Sequence, residues 1–238
     1  MNGKGQIAAV AAKPQEDSKR KRVICDSSSL ISMSMNCMMP IIIELSEYAD
    51  FVITKTVYDE IITTPQEGGR HRMGPLNFKA LIKSGILKIE EADKSEANRI
   101  LDASNNVYFM RRRPLKIIHL GEAEALALAN NGDVLLMDER TLRFLVENPW
   151  ELKDLLEHRL HEKVFFDKQK DEVFRNYCKG VSIIRSSEIV AVAHEKGILQ
   201  KYFSGDRREV LEACLWSLKF SGCSLSGDDI GEYLKMLK

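Results

Sequence analysis

Asp26, Glu60, Glu122 and Asp138 are scattered along the chain, yet each stands where an apolar run meets a helical one. Asp26 ends the short strand-like run VIC and is followed by Ser27, Ser28 and Ser29. Glu60 lies in the helical run TKTVYDEII, directly after a second strand-like run. Glu122 opens the helical run HLGEAEALALA, and Asp138 closes the run DVLLM. If the strands are parallel, all four carboxylates reach one edge of the sheet. Carboxylates crowded together repel, and some would have to stay protonated. A divalent cation removes that difficulty. An oxygen-rich set without soft ligands favours Mg2+ or Mn2+. One or two such ions suit phosphodiester hydrolysis, one activating the attacking water and the other stabilising the leaving oxygen.

Each acid also has a plainer role. Asp26 and Asp138 can cap the helices that follow them, worth about 1 kcal/mol each. Glu122 and Glu124 suit a helix N-terminus, at roughly 0.3–1 kcal/mol. Glu60 can be a surface helix residue. Facing favours the joint reading. Glu122 shares a helical stripe with Leu126 and Ala129, which should face the sheet, whereas Glu124 lines up with Leu128 and Asn131.

The elements that must position these acids alternate. Strand-like runs are Val23–Cys25, Phe51–Ile53, Ile86–Ile89 and Asp133–Met137. Between them the pattern predicts helices over Ser28–Tyr48, Thr56–Thr63, Leu76–Lys83, Lys94–Met110, Leu120–Asn130 and Glu139–Glu147. Pro40 should break the first. Residues 65–74 read as a loop around two adjacent glycines. This rhythm predicts an α/β fold of three layers, α/β/α, with a mostly parallel sheet, and functional residues beyond the carboxyl ends of the strands. After Pro149 the chain turns helical and charged, over Trp150–Glu162 and Asp167–Tyr177. Val181–Ile184 could add a strand, and helices follow over Glu188–Lys196, Arg207–Phe220 and Gly227–Leu237. Ser226 and Asp229 have the spacing of a capping box. The expected organisation is a flexible basic tail over 1–22, a core over 23–150, and a mainly helical C-terminal extension over 151–238 packed on it.

Composition excludes several classes. No apolar stretch reaches the ~20 residues of a membrane span. The five cysteines are scattered without a C-x-x-C pair, which speaks against zinc and disulfide frameworks and for a cytoplasmic setting. Net charge is zero, but residues 1–22 carry six Lys/Arg against two acids, leaving the remainder at −4. Basic clusters occur at Arg70/His71/Arg72, Arg111/Arg112/Arg113 and Arg207/Arg208. No P-loop pattern is present. A phosphate-transferring hydrolase would need a second aspartate two residues after Asp26, where Ser28 stands. The methionines at 33, 35, 38 and 39 read as adaptable core filler.

In order, the D-S-S of CDSSSLI, the V-x-x-E of TVYDEI, the G-E-A-E-A of LGEAEALALA and the D-E-R after DVLLM resemble the motifs of PIN-domain proteins. The glycine-glutamate of the third motif resembles a VapC-like branch of that family, most members of which carry aspartate there. The resemblance covers about 23–150. It implies a Rossmann-like core and a Mg2+- or Mn2+-dependent endoribonuclease working through metal-activated water. Carried over, it makes Asp26, Glu60, Glu122 and Asp138 the acidic cluster, with Ser28 beside the metal and Glu124 and Glu139 as second choices. It implies RNA as partner, gripped through the basic clusters or the tail, with an antitoxin-like or complex partner protein and a homodimer as further expectations. The rival expectation is a catalytically inactive PIN-like interaction module in an RNA-related complex.

Overall fold

The computed structural model describes residues 20–64, 73–129 and 132–237. The expected tail as far as 19, and the basic loop Arg70–Arg72, lie outside the described residues.

Strand β1 (Lys21–Cys25) leads into helix α1 (Ser27–Met35). A second helix, α2 (Met39–Leu45), leaves α1 at a bend of 116°. Pro40 stands in the first turn of α2, where its missing N–H costs nothing, so it starts a helix rather than kinking one. Strand β2 (Ala49–Ile53) is followed by one α-turn, α3 (Lys55–Tyr58), that widens into a π-helical turn over Asp59–Thr63. Helix α4 (Met73–Lys83), strand β3 (Leu87–Ile89) and helix α5 (Lys94–Asn105) come next.

The helix expected over Lys94–Met110 stops at Asn105, because Asn105 turns its side chain to the backbone of a later segment. Its Oδ1 accepts from Ile117 N–H at 2.6 Å and Ile118 N–H at 3.0 Å. Beyond it, Tyr108–Met110 is strand β4, which pairs antiparallel with β5 (Arg113–Pro114) on one side and β7 (Phe165–Phe166) on the other.

Helix α6 (Leu120–Leu128), strand β6 (Val134–Leu136) and helices α7 (Arg140–Glu147) and α8 (Pro149–Leu160) follow. Past β7 come α9 (Lys168–Tyr177), β8 (Ser182–Ile184), α10 (Ser186–Glu195), α11 (Leu199–Tyr202), α12 (Arg207–Phe220) and α13 (Gly227–Met236).

The main sheet has the order β3-β2-β1-β6-β8, and every pairing in it is parallel. Side chains alternate between its faces. Val23, Cys25, Phe51, Ile53, Val134, Leu136 and Ile184 face a core built with α1–α4 and α10–α13. Ile24, Leu135, Met137 and Ile183 face a second core built with α5–α9. The result is a three-layer α/β/α fold, as the sequence rhythm predicts. Strands covered on both faces read as continuous apolar runs, which VIC and VLL are.

The fifth strand, β8, comes from the stretch expected as an extension, so those residues complete the sheet. Behind β8, α10 is buried from Ser186 through His194. Apolar on all sides over Ile189–Ala193, it is the central helix of the first core. Met33, Met38 and Met39 are core residues as expected, while Met35 is 60% exposed. Among the described residues no single helix is long and apolar enough to cross a membrane.

Candidate active site at the strand switch point

From β1 the chain builds outward to β2 and β3 on one side, and later to β6 and β8 on the other. The order therefore reverses between β1 and β6, the switch point beyond whose carboxyl ends open parallel sheets place their ligand crevice. Asp26 is the first residue past β1. Its backbone N–H donates to Leu136 O at 2.9 Å, which locks the peptide to β6. Its side chain caps α1: Oδ2 accepts from Ser28 N–H at 3.1 Å and from the Ser28 hydroxyl. The plain capping role and the candidate ligand role thus coexist. Both bonds use Oδ2, so the cap leaves Oδ1 unused.

Glu60 reaches the crevice from the π-helical turn after β2, where one extra residue per turn re-aims the side chains. It is exposed, and its carboxylate lies against the first turn of α6. A Cβ placed on Gly121 would stand 3.4 Å from Glu60 Oε1 and 3.4 Å from Thr56 Cγ2. Glycine there leaves the carboxylate room beside the helix start.

Glu122 occupies the third position of α6 and closes a capping box, its Oε2 accepting from His119 N–H at 2.7 Å. Burial pushes its carboxyl up to about 7, against the pull of the His119 bond, and the carboxylates of Glu139, Asp26 and Glu60 push the same way. Three acids from β1, the π turn and α7 are therefore felt at this one group.

Asp138 lies two residues past β6, and its carboxylate is bonded by Ser186, just past the end of β8. It is 2% exposed. Ser186, at the start of α10, donates its N–H to Oδ1 at 2.7 Å and its hydroxyl to Oδ1 and Oδ2 at 2.9 and 2.7 Å. Burial raises the Asp138 carboxyl, while these bonds and the Cys223 thiol draw it down. Its backbone carbonyl accepts from Ser224 N–H at 3.1 Å. The next residue, Glu139, caps α7, accepting from Thr141 N–H at 2.6 Å and Leu142 N–H at 3.2 Å. Glu124 is half-buried on α6.

Asp26, Glu60 and Glu139 thus lie near enough to act on Glu122, and Ser186 of the C-terminal half holds the Asp138 carboxylate. Sequence reasoning missed Ser186 altogether. A signal was present: SIIRSS repeats the strand-then-serines pattern of VICDSS.

A family model described as a PIN domain matches residues 22–148, more than half of the 238-residue chain. The chain belongs to the PIN-domain family. Comparisons with curated proteins and with solved structures gave no match. PIN domains are in general nucleases, hydrolases that need a divalent metal such as Mg2+ or Mn2+. The matched region runs from β1 to the end of α7 and holds all four acids, while β8 and the helices behind it lie beyond.

The residues of this PIN domain fit such an ion by donor chemistry. The groups acting on Glu122 are carboxylates, the hard oxygen donors that Mg2+ and Mn2+ prefer. Among the described residues no three acidic, histidine or cysteine side chains close around one point. An open arrangement suits Mg2+, which keeps several waters and takes one or two carboxylates together with substrate phosphates.

Proposed function

We propose that this PIN domain is a Mg2+- or Mn2+-dependent endoribonuclease of the VapC-like branch, with Gly121-Glu122 as its third motif. The single observation that carries the reading is Glu122. It is a carboxyl half-buried at the switch point and pressed by acids from three other elements. Asp26, Glu60 and Glu122 would hold the cation, with Glu139 and Glu124 beside them and Asp138 supporting from behind. Bound there, the ion would neutralise the acids and polarise a phosphoryl oxygen.

The chain's own groups prepare that site. Ser28 orients Asp26, the His119 N–H orients Glu122, and Ser186 holds Asp138. Glu122, at about 7, can keep or release a proton near neutral pH. RNA phosphates would be met by Arg111, Arg112 and Arg113, all exposed.

The test is cleavage of single-stranded RNA with and without Mn2+, in the parent and in Asp26→Asn. Cleavage is expected from the parent with Mn2+ alone. A second reading, a PIN-like interaction module without turnover, draws support from Asp138, whose carboxylate is already satisfied by Ser186. Absence of metal-dependent cleavage, with no Mn2+-induced rise in melting temperature, would favour that module.

A further inference from the structure

The three-stranded sheet β5-β4-β7 has two unlike faces. Its inner face buries Tyr108 against Phe166, ring centroids 5.4 Å apart, and the Tyr108 hydroxyl donates to Pro149 O at 2.7 Å. Its outer face does the opposite. Phe165 pairs across the strands with Phe109, and Phe109 with Pro114, so two aromatic rings and a proline stand in one row. Phe165 is 65% exposed, and its ring lies 6.4 Å from that of Phe109. An apolar row on the wet side of a small sheet does nothing for the core.

Basic side chains frame this row. An open groove of about 720 Å³ is lined by Phe109 and Phe165 together with Arg111, Arg112, Lys153 and Lys163. Two acids also line it. Glu157 is paired with Lys153 at 3.0 Å and Lys163 at 3.8 Å, and Asp167 is spent capping α9. Arg111 pairs with Glu162, whereas Arg112 makes no ion pair among the described residues. The balance is positive, which suits a polyanion.

The turn joining β4 to β5 is strained in a telling way. Arg111 and Arg112 both adopt left-handed backbone, at φ 50° and 63°. A two-residue hairpin of this kind asks for Asn-Gly or Gly-Gly at those places. Two arginines there give up backbone comfort and put two cations at the hairpin tip beside the aromatic row.

We propose that the outer face of this sheet is a stacking platform for unpaired nucleotides, with Phe165 and Phe109 under the bases and Arg112 and Lys163 on the phosphates. Aromatic rings on a strand surface accept any base through its π-face, while flanking cations follow the backbone. The inference rests on RNA being the substrate. Arg113 precedes Glu122 by nine residues, which keeps the two within about 30 Å, so one strand could touch both.

The test is equilibrium binding of a fluorescein-labelled 15-nucleotide single-stranded RNA to the full chain in EDTA, where no cleavage intervenes. Matched single-stranded DNA and duplex RNA are run beside it. The parent should prefer either single strand over the duplex. Phe165→Ala should weaken single-strand binding at least about fivefold, and Phe165→Trp should restore it. Arg112→Ala should flatten the dependence of log affinity on log salt by about one unit. Equal melting temperatures would show that these exposed substitutions leave the fold intact. Unchanged affinity in Phe165→Ala, preference for duplex, or no nucleic-acid binding at all would overturn the platform. Cleavage assays separate the two ideas. RNA cut by a protein whose binding ignores Phe165 would sink the platform alone. Phe165-dependent binding with no cleavage under any metal would sink the nuclease alone.

Discussion

The carboxylate of Asp138 is held by Ser186, 48 residues further along, through one backbone N–H at 2.7 Å and a hydroxyl at 2.7 and 2.9 Å. That contact joins the strand carrying one acidic motif to the helix that follows the last strand of the sheet. It ties the C-terminal half to the carboxyl edge of the main sheet.

Ser186→Ala should therefore act on both stability and activity. It leaves a buried carboxylate short of a donor, at a cost of about 1–3 kcal/mol. Urea unfolding should show the midpoint fall at unchanged slope, and a midpoint equal to the parent's would deny the contact its role.

A second clamp lies two residues on, in the same first turn of α10. Glu188 is 6% exposed, and burial alone would raise its carboxyl, but the Arg185 guanidinium at 2.7 Å outweighs that and holds it low. Tyr233 of α13 donates to the same carboxylate. Removing the cation in Arg185→Ala strands a buried negative charge, and a loss of about 3–5 kcal/mol is expected. Thermal melting at neutral pH checks it, and a change within experimental error would count against the clamp.

Glu122 predicts how the metal-free protein responds to pH. Its folded carboxyl, near 7, sits above the ordinary value of 4.5, so the folded state holds the proton more tightly than the unfolded one. The stability it gives is fully present below about 4.5 and is lost as pH rises toward about 7. Glu122→Gln should flatten that fall and, in EDTA at pH 8, raise stability by on the order of 1–3 kcal/mol. The same substitution should weaken stabilisation by Mn2+. A variant whose stability tracks the parent's at every pH would refute the raised Glu122 carboxyl and the burial behind it.

Asp26→Asn separates capping from metal binding. Asparagine caps helices about as well as aspartate, so the fold should stand. Stabilisation by Mn2+ and cleavage should both disappear. A large drop in melting temperature without metal would mean that Asp26 serves the fold first.

Much of this was legible in the sequence, for physical reasons. VIC, FVI and VLL are covered on both faces, and such strands show as unbroken apolar runs, so a mostly parallel sheet could be read, though not the order of its strands. Arg207–Phe220 is a helix over the span expected, and the Ser226/Asp229 box formed as its spacing required. Three things could not be read. Lys94–Met110 keeps a helical pattern past Asn105, and only tertiary pairing with β7 makes a strand of its end. The aim of the Asp138 carboxylate depends on Ser186, which no local pattern links to it. The approach of Glu60 to Gly121 is set by a π turn, which adds a residue per turn without a sequence mark.

We expect Asp26, Glu60 and Glu122 to hold one cation at the switch point between β1 and β6. Anomalous diffraction from crystals grown with Mn2+ tests it most directly. A manganese peak is expected there, bonded to Asp26 and to at least one of Glu60 and Glu122. Manganese bound only elsewhere, or the three carboxylates remaining apart around a metal-free crevice at saturating Mn2+, would contradict it.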